Sequence, residues 1–252
     1  MRLQDRVAFI TGAGRGIGRE IAVKFYHEGA TIILNDIEAP SVENVLARMN
    51  VPEGKGMAVG GDISNGEEVR RMTDRIWDRF GGIDILVNNA GIRKDAVFPE
   101  MNEADWDAVM AVQLKGAFHC CRAVAPRMMD RGFGRIVNIS SPVPAGLGKS
   151  GQVNYASAAS GLAGFTKALA LELGPYNIRV NCIAPDYIYT EMARNAALRD
   201  GFYSQDLQKF VVADIPLKRL GTPEDVANVA LFFAGEESGF VTGQVLYVRG
   251  GP

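Results

Sequence analysis

Short apolar runs alternate with longer amphipathic stretches along the whole chain. Arg6–Thr11 (RVAFIT) predicts a strand, Gly16–His27 a helix and Thr31–Asp36 (TIILND) a second strand. The pattern then predicts a helix near Val42–Met49, a strand at Gly56–Gly60 and a helix at Glu67–Phe80. Ile83–Val87 follows as a strand whose apolar run stops at Asn88-Asn89. A long helical region from about Glu103 to Met129 precedes a strand at Arg135–Ile139, a helix over Val153–Leu173 and a strand at Arg179–Ile183. The stretch from about Glu191 to Ala213 reads as helical and loop-rich. Thr222-Pro223 then opens a helix over Glu224–Phe233, and Val245–Val248 is a closing strand. Strands that are apolar throughout and separated by helices predict an α/β fold, a seven-stranded parallel sheet with helices on both faces. No linker, composition shift or internal repeat breaks the series, so residues 1–252 are expected to form a single domain.

Composition narrows the expected partners. The chain has 252 residues, 47% of them hydrophobic, enough to bury such a core. Its formal net charge is −2 and no Lys/Arg stripe interrupts it, which argues against nucleic acid and against an anionic membrane. The N-terminus is too polar for a secretory signal, and the apolar runs fall far short of the roughly 18 residues of a membrane span. Cys120, Cys121 and Cys182 are an odd set without metal-ligand spacing, and the Cys120-Cys121 pair fits a core helix in a reducing compartment. His27 and His119 lie on separate predicted helices and are expected to pack. A cytoplasmic protein without a metal site is the expectation.

The chemistry begins at Thr11-Gly12-Ala13-Gly14-Arg15-Gly16-Ile17-Gly18, between the first strand and the first helix. A pyrophosphate needs a tight turn, a backbone without Cβ atoms in its way and the N-terminal amides of a helix close by. In this setting the turn predicts a doubly wound, Rossmann-type domain that binds a dinucleotide. Asp36 ends the second strand, where a carboxylate can accept both ribose hydroxyls and would repel a 2′-phosphate, so NAD is expected over NADP. Arg15 points the other way, but Ile37 is not a second cation. A plainer reading makes Asp36 a turn residue that caps the next helix.

With these motifs the sequence resembles the single-domain branch of the short-chain dehydrogenase/reductase family over nearly its whole length. Thr11-Gly12-x-x-x-Gly16-x-Gly18 is that family's form of the turn. Asp62-Ile63 is similar to its acidic position beside the adenine, and Asn88-Asn89-Ala90-Gly91 to its motif after the fourth strand. Pro185…Ile188-x-Thr190 is similar to its segment over the carboxamide, and Ile215–Ala227 and Val241–Gln244 are also very like the family. Reductases of 3-oxoacyl thioesters and similar secondary alcohol dehydrogenases are the nearest in character. The resemblance implies a cofactor site built from Gly12, Arg15, Gly16, Ile17, Gly18, Asp36, Ile37, Asp62, Ile63, Asn89, Ala90, Gly91, Tyr155, Pro185, Ile188 and Thr190. It also implies substrate contacts from about 186–214 and the 142–151 loop, and a homotetramer or dimer.

The family reaction exchanges a hydride between a nicotinamide and a carbonyl carbon, while a Tyr moves the proton and a Ser hydrogen-bonds the oxygen. Tyr155 matches the Tyr. The usual Ser position is Pro142 here; a one-residue loop insertion restores Ser141, with Ser140 the alternative. The family Lys that lowers the Tyr pKa is replaced by Ala159, and the Asn that supports a proton-relaying water by Gln113. Lys167 stands about 18 Å further along an ideal helix, and Lys149 sits in a loop. Arg93-Lys94-Asp95 reads as a solvated loop, with an anion-binding role as the alternative. Tyr155 is therefore expected to lack a neighbouring cation and carbonyl reduction to be weak. The resemblance thus implies an NAD(P)(H)-dependent oxidoreductase acting on a secondary alcohol or ketone, with a damaged relay. Open alternatives are a cofactor-binding pseudoenzyme, a deliberately altered variant, and a non-redox isomerase or lyase using the same pocket.

Overall fold

The computed structural model describes residues 1–142, 148–199 and 212–251. Seven parallel strands form one sheet: β1 (Val7–Ile10), β2 (Thr31–Asp36), β3 (Gly56–Gly60), β4 (Ile85–Asn88), β5 (Gly134–Ile139), β6 (Ile178–Pro185) and β7 (Val245–Val248). Their order is β3-β2-β1-β4-β5-β6-β7, so the direction of winding reverses between β1 and β4. The helices are α1 (Gly16–His27), α2 (Ala39–Arg48), α3 (Gly66–Phe80), α4 (Glu103–Met110), α5 (Gly116–Arg131), α6 (Val153–Leu173), α7 (Glu191–Arg199) and α8 (Pro223–Ala234).

The continuous apolar strands follow from burial on both faces. Ala8, Ile10, Ile32, Leu34, Ile85 and Val87 face one core with Phe25 of α1 and Phe233 of α8. The alternate positions Val7, Phe9, Ile33 and Leu86 face the other with Ile76 of α3 and Val124 of α5. Successive side chains of a strand point to opposite faces, so two buried faces leave no polar position between them. Edge strand β3 differs: Met57 and Val59 are buried, whereas Gly60 is exposed.

Local chemistry sets the element ends. Asn65 caps α3 by accepting the Glu67 and Glu68 N–H groups at 3.0 and 3.3 Å, and Gly81 at φ 70° ends it. The long helix expected over Glu103–Met129 is divided by a π-helical turn, Ala111–Lys115, before α5 continues to Arg131. Such turns occur where a helix must re-aim a side chain, and this one carries Gln113. β4 starts at Ile85, not at Ile83, because the buried Asp84 carboxylate accepts the Val7 N–H at 2.8 Å and pairs with Arg131. Of the segments expected to hold the substrate, 143–147 and 200–211 lie outside the described residues.

Candidate active site

The crevice lies beyond the C-terminal ends of β1 and β4, where the winding reverses and open α/β sheets place their ligands. Gly12 takes φ 62°, and a Cβ there would stand 2.7 Å from the Ala90 backbone, so the ends of β1 and β4 meet only through a glycine. Asn89 locks this contact, donating from Nδ2 to the Thr11 and Gly12 carbonyls at 2.9 Å each. Thr11 Oγ1 accepts the Asn89 and Ala90 N–H groups in return. The Asn89 side chain thus holds the turn, leaving its neighbours to face a ligand.

The N-terminus of α1 fits an anion. No side chain caps it, and its first turn holds no acidic residue. Asp36 Oδ2 accepts the Gly14 N–H at 3.1 Å, which draws the carboxylate to the turn instead of to the cap of α2. Arg15 is exposed and stands 3.9 Å from Glu191. From β6 the chain leaves through Tyr187 at φ 49°. The Tyr189 N–H donates to Gly221 O at 2.8 Å, and Thr190 then reaches within 3.9 Å of the Cβ position of Gly16. The turn thus meets Asp36 through Gly14 and Thr190 through Gly16. Of the residues assigned to the cofactor by resemblance, Ile63 and Ile188 bury their side chains in the core.

Beside this crevice, a buried polar ladder fixes α6. Asn88 Nδ2 donates to Asn138 Oδ1 at 2.8 Å, Asn138 Nδ2 to Thr166 Oγ1 at 2.9 Å, and Thr166 Oγ1 to Leu162 O at 2.8 Å. Ser140 Oγ donates to the Ala159 carbonyl at 3.0 Å, binding the end of β5 to the helical turn after Tyr155. The two serines are thereby distinguished. The Ser140 hydroxyl is engaged, whereas Ser141 Oγ is buried without a partner among the described residues. Gln113 Oε1 is also buried and unpartnered, while its amide nitrogen faces the Tyr155 oxygen. Buried polar atoms left unpaired cost free energy, and each of these two has the capacity to bond a ligand or water.

Burial pushes the Tyr155 phenol above its ordinary value. Arg93 and the Gln113 amide pull it down, and Asp95 pushes it up. This corrects the expectation that no cation neighbours Tyr155: the Arg93 guanidinium lies 6.0 Å from its ring centroid. The Arg93-Lys94-Asp95 segment keeps Lys94 and Asp95 exposed, as a solvated loop does, while the Arg93 and Asp95 side chains, 17% and 27% exposed, pair with each other. Lys149 sits 4.9 Å from the Tyr187 ring, over the opposite wall. Burial raises the Asp186 carboxyl above its usual range, against the pull of Arg249 and Lys149. All three cysteines are buried and free, and no metal-ligating group occurs among the described residues.

Comparison with known proteins now bears on this geometry. A family model described as Enoyl-(Acyl carrier protein) reductase matches residues 12–252. The chain is 43% identical over 251 residues to the (2S)-[(R)-hydroxy(phenyl)methyl]succinyl-CoA dehydrogenase subunit BbsD of Thauera aromatica, covering 100% of this chain and 98% of that one. This chain belongs to the short-chain dehydrogenase/reductase family. Within the family it is 40% identical to the 3-oxoacyl-[acyl-carrier-protein] reductase FabG of Thermotoga maritima, covering 100% and 99% of the two chains. The crystal structure of levodione reductase superposes with a TM-score of 0.93 at 33% identity, over 99% and 98% of the chains. The short-chain dehydrogenase/reductase described here is accordingly an oxidoreductase acting on CH–OH groups, in a family that uses NAD(P)(H). Among its described residues, no helix is long and apolar enough to cross a membrane.

Sequence reasoning missed Asn154 and the ion pair in front of it. Asn154 Nδ2 donates to the Lys94 carbonyl at 2.8 Å, while its Oδ1 accepts the Tyr155 N–H at 2.7 Å. Its place immediately before Tyr155 was the available signal.

Proposed function

We propose that this enzyme interconverts a secondary alcohol and a ketone with NAD(H), the substrate being a 3-hydroxyacyl or 3-oxoacyl thioester. The carrying observation is that Gln113 reaches Tyr155 through its amide, while Ser141 Oγ and Gln113 Oε1 are buried without partners among the described residues. When bound, the nicotinamide supplies or accepts the hydride. The Tyr155 O–H gives its proton to the carbonyl oxygen, and the Ser141 O–H donates a hydrogen bond to that oxygen. Gln113 orients the phenol through its amide. The carboxylate of Asp36 supports NAD over NADP, and two relatives named for acyl thioesters support the substrate class. Ala159 leaves the relay without its lysine, so turnover is slower than in an Ala159→Lys, Gln113→Asn double variant. The enzyme also self-associates, as a homotetramer or dimer, through the exposed α5–α6 face around Phe118.

The test follows NADH oxidation with a 3-oxoacyl thioester, alongside NADH fluorescence titration. Tyr155→Phe should lower kcat/KM by about a hundredfold or more, with NADH still bound. Turnover unaffected by Tyr155→Phe overturns the role of the phenol. Tight NADH binding with no turnover identifies a cofactor-binding protein instead, and substrate conversion without net cofactor change identifies non-redox chemistry.

A further inference from the structure

A phenol gains acid–base use near neutrality from a positive charge beside it, and helix α6 offers none. Ala159, where such a charge would lie one turn beyond Tyr155, is buried and has no charged side chain, and its carbonyl accepts the Ser140 O–H. On the opposite side of the phenol the loop after β4 brings up Arg93, its Cζ 6.0 Å from the ring centroid.

Three features make this approach a built one. The Arg93 and Asp95 side chains keep 17% and 27% of their surface in solvent, and the guanidinium holds the carboxylate through both Nε and Nη2. The intervening Lys94 carbonyl is held by Asn154, the residue before Tyr155, so guanidinium and phenol are placed by adjacent residues of each segment. The Ala96 N–H donates to Gly151 O at 2.9 Å, a second tie between this loop and the approach to α6.

We propose that Arg93 is the positioning residue that supplies positive charge to the Tyr155 phenol, in place of a lysine on α6. The partner Asp95 makes this charge adjustable. In a partly buried site both charges act on the phenol with little screening, and they act in opposite senses. The other charged groups nearby are otherwise engaged. Lys94 pairs with Asp105 at the start of α4, Lys149 lies over Tyr187, and Asp186 stands between Lys149 and Arg249. The amide of Gln113 carries no charge. The inference rests on the proposed role of Tyr155 in proton transfer, but the charge on the phenol can be read without any turnover.

The experiment is an ultraviolet phenolate titration of the full chain, taking for each background the difference from its Tyr155→Phe counterpart. Arg93→Gln should raise the Tyr155 titration by about one pH unit, and Arg93→Lys should hold it near the parent value. Asp95→Asn should lower it. The rising limb of kcat/KM for alcohol oxidation against pH should move in the same senses, upward for Arg93→Gln and downward for Asp95→Asn. A merely structural ion pair predicts instead that both substitutions disturb the site alike. Shifts of the same sign, or no shift in either variant, overturn the proposal. Asp95→Asn and Arg93→Lys retain hydrogen-bonding groups, so the test stands even where Arg93→Gln fails to fold. Absence of redox turnover with opposed titration shifts retains the charge assignment and rejects only the dehydrogenase reading.

Discussion

The Asp36 carboxylate accepts the Gly14 N–H, and the proposed function gives it a ribose as a second partner. The negative charge and the acceptor oxygen can be separated by Asp36→Asn, which keeps an oxygen for Gly14 and removes the charge. Fluorescence titration should show NADPH affinity rising by about tenfold relative to NADH, as expected when one unfavourable charge contact is lost. An unchanged ratio places the discrimination elsewhere. At this scale the sequence reveals residues whose chemistry is needed at a fixed place in a motif: Gly12, Asp36, Tyr155 and, allowing one insertion, Ser141. It does not reveal Arg93. Arg93-Lys94-Asp95 has the composition of a solvated loop, and the Asn154 bond to Lys94 and the Ala96 bond to Gly151 turn it toward Tyr155.

Elements show the same division. Helix α8 begins in a capping box, with Thr222 Oγ1 accepting the Asp225 N–H and Asp225 Oδ2 accepting the Thr222 N–H. Arg219 also pairs with that carboxylate and holds it well below the usual carboxylate range. A carboxyl group with a depressed folded-state pKa contributes stability above its unfolded value, about 3.9, and loses it as pH falls further. Asp225→Asn should therefore melt below the parent at neutral pH, with the two Tm values converging on acidification. A gap that stays constant with pH assigns the effect to shape instead of charge. Thr222-Pro223 was legible as the start of this helix because caps are local. The π turn at Ala111–Lys115 was not legible, because nothing in the periodicity of 103–129 breaks there. Its cause lies in packing, where Gly116 abuts Ile63 and Gln113 meets Gly91 and Tyr155.

At the scale of the molecule, the outer face of α5 and α6 carries an open groove of about 720 Å³ lined by Met110, Leu114, Phe118, Gly161 and Phe165. Phe118 is 41% exposed there, in a setting where a second copy would remove apolar surface from water. Phe118→Glu should shift the molecular mass measured by light scattering toward the protomer, while far-ultraviolet dichroism remains that of the parent. A mass unchanged by the substitution removes this face as the contact.

The sequence by itself determined the parallel sheet and the glycine turn. Each rests on a short-range demand: alternating side chains buried on both faces, or a backbone that must pass within 2.7 Å of Ala90 without a Cβ. Only the tertiary structure decided which serine has a free hydroxyl, where Gln113 points and which cation stands beside Tyr155. Those answers depend on contacts between distant segments, such as Ser140 with Ala159 and Asn154 with Lys94. Electrostatic influence on a buried phenol follows distance in space, so residue 93 reaches Tyr155 although the chain separates them.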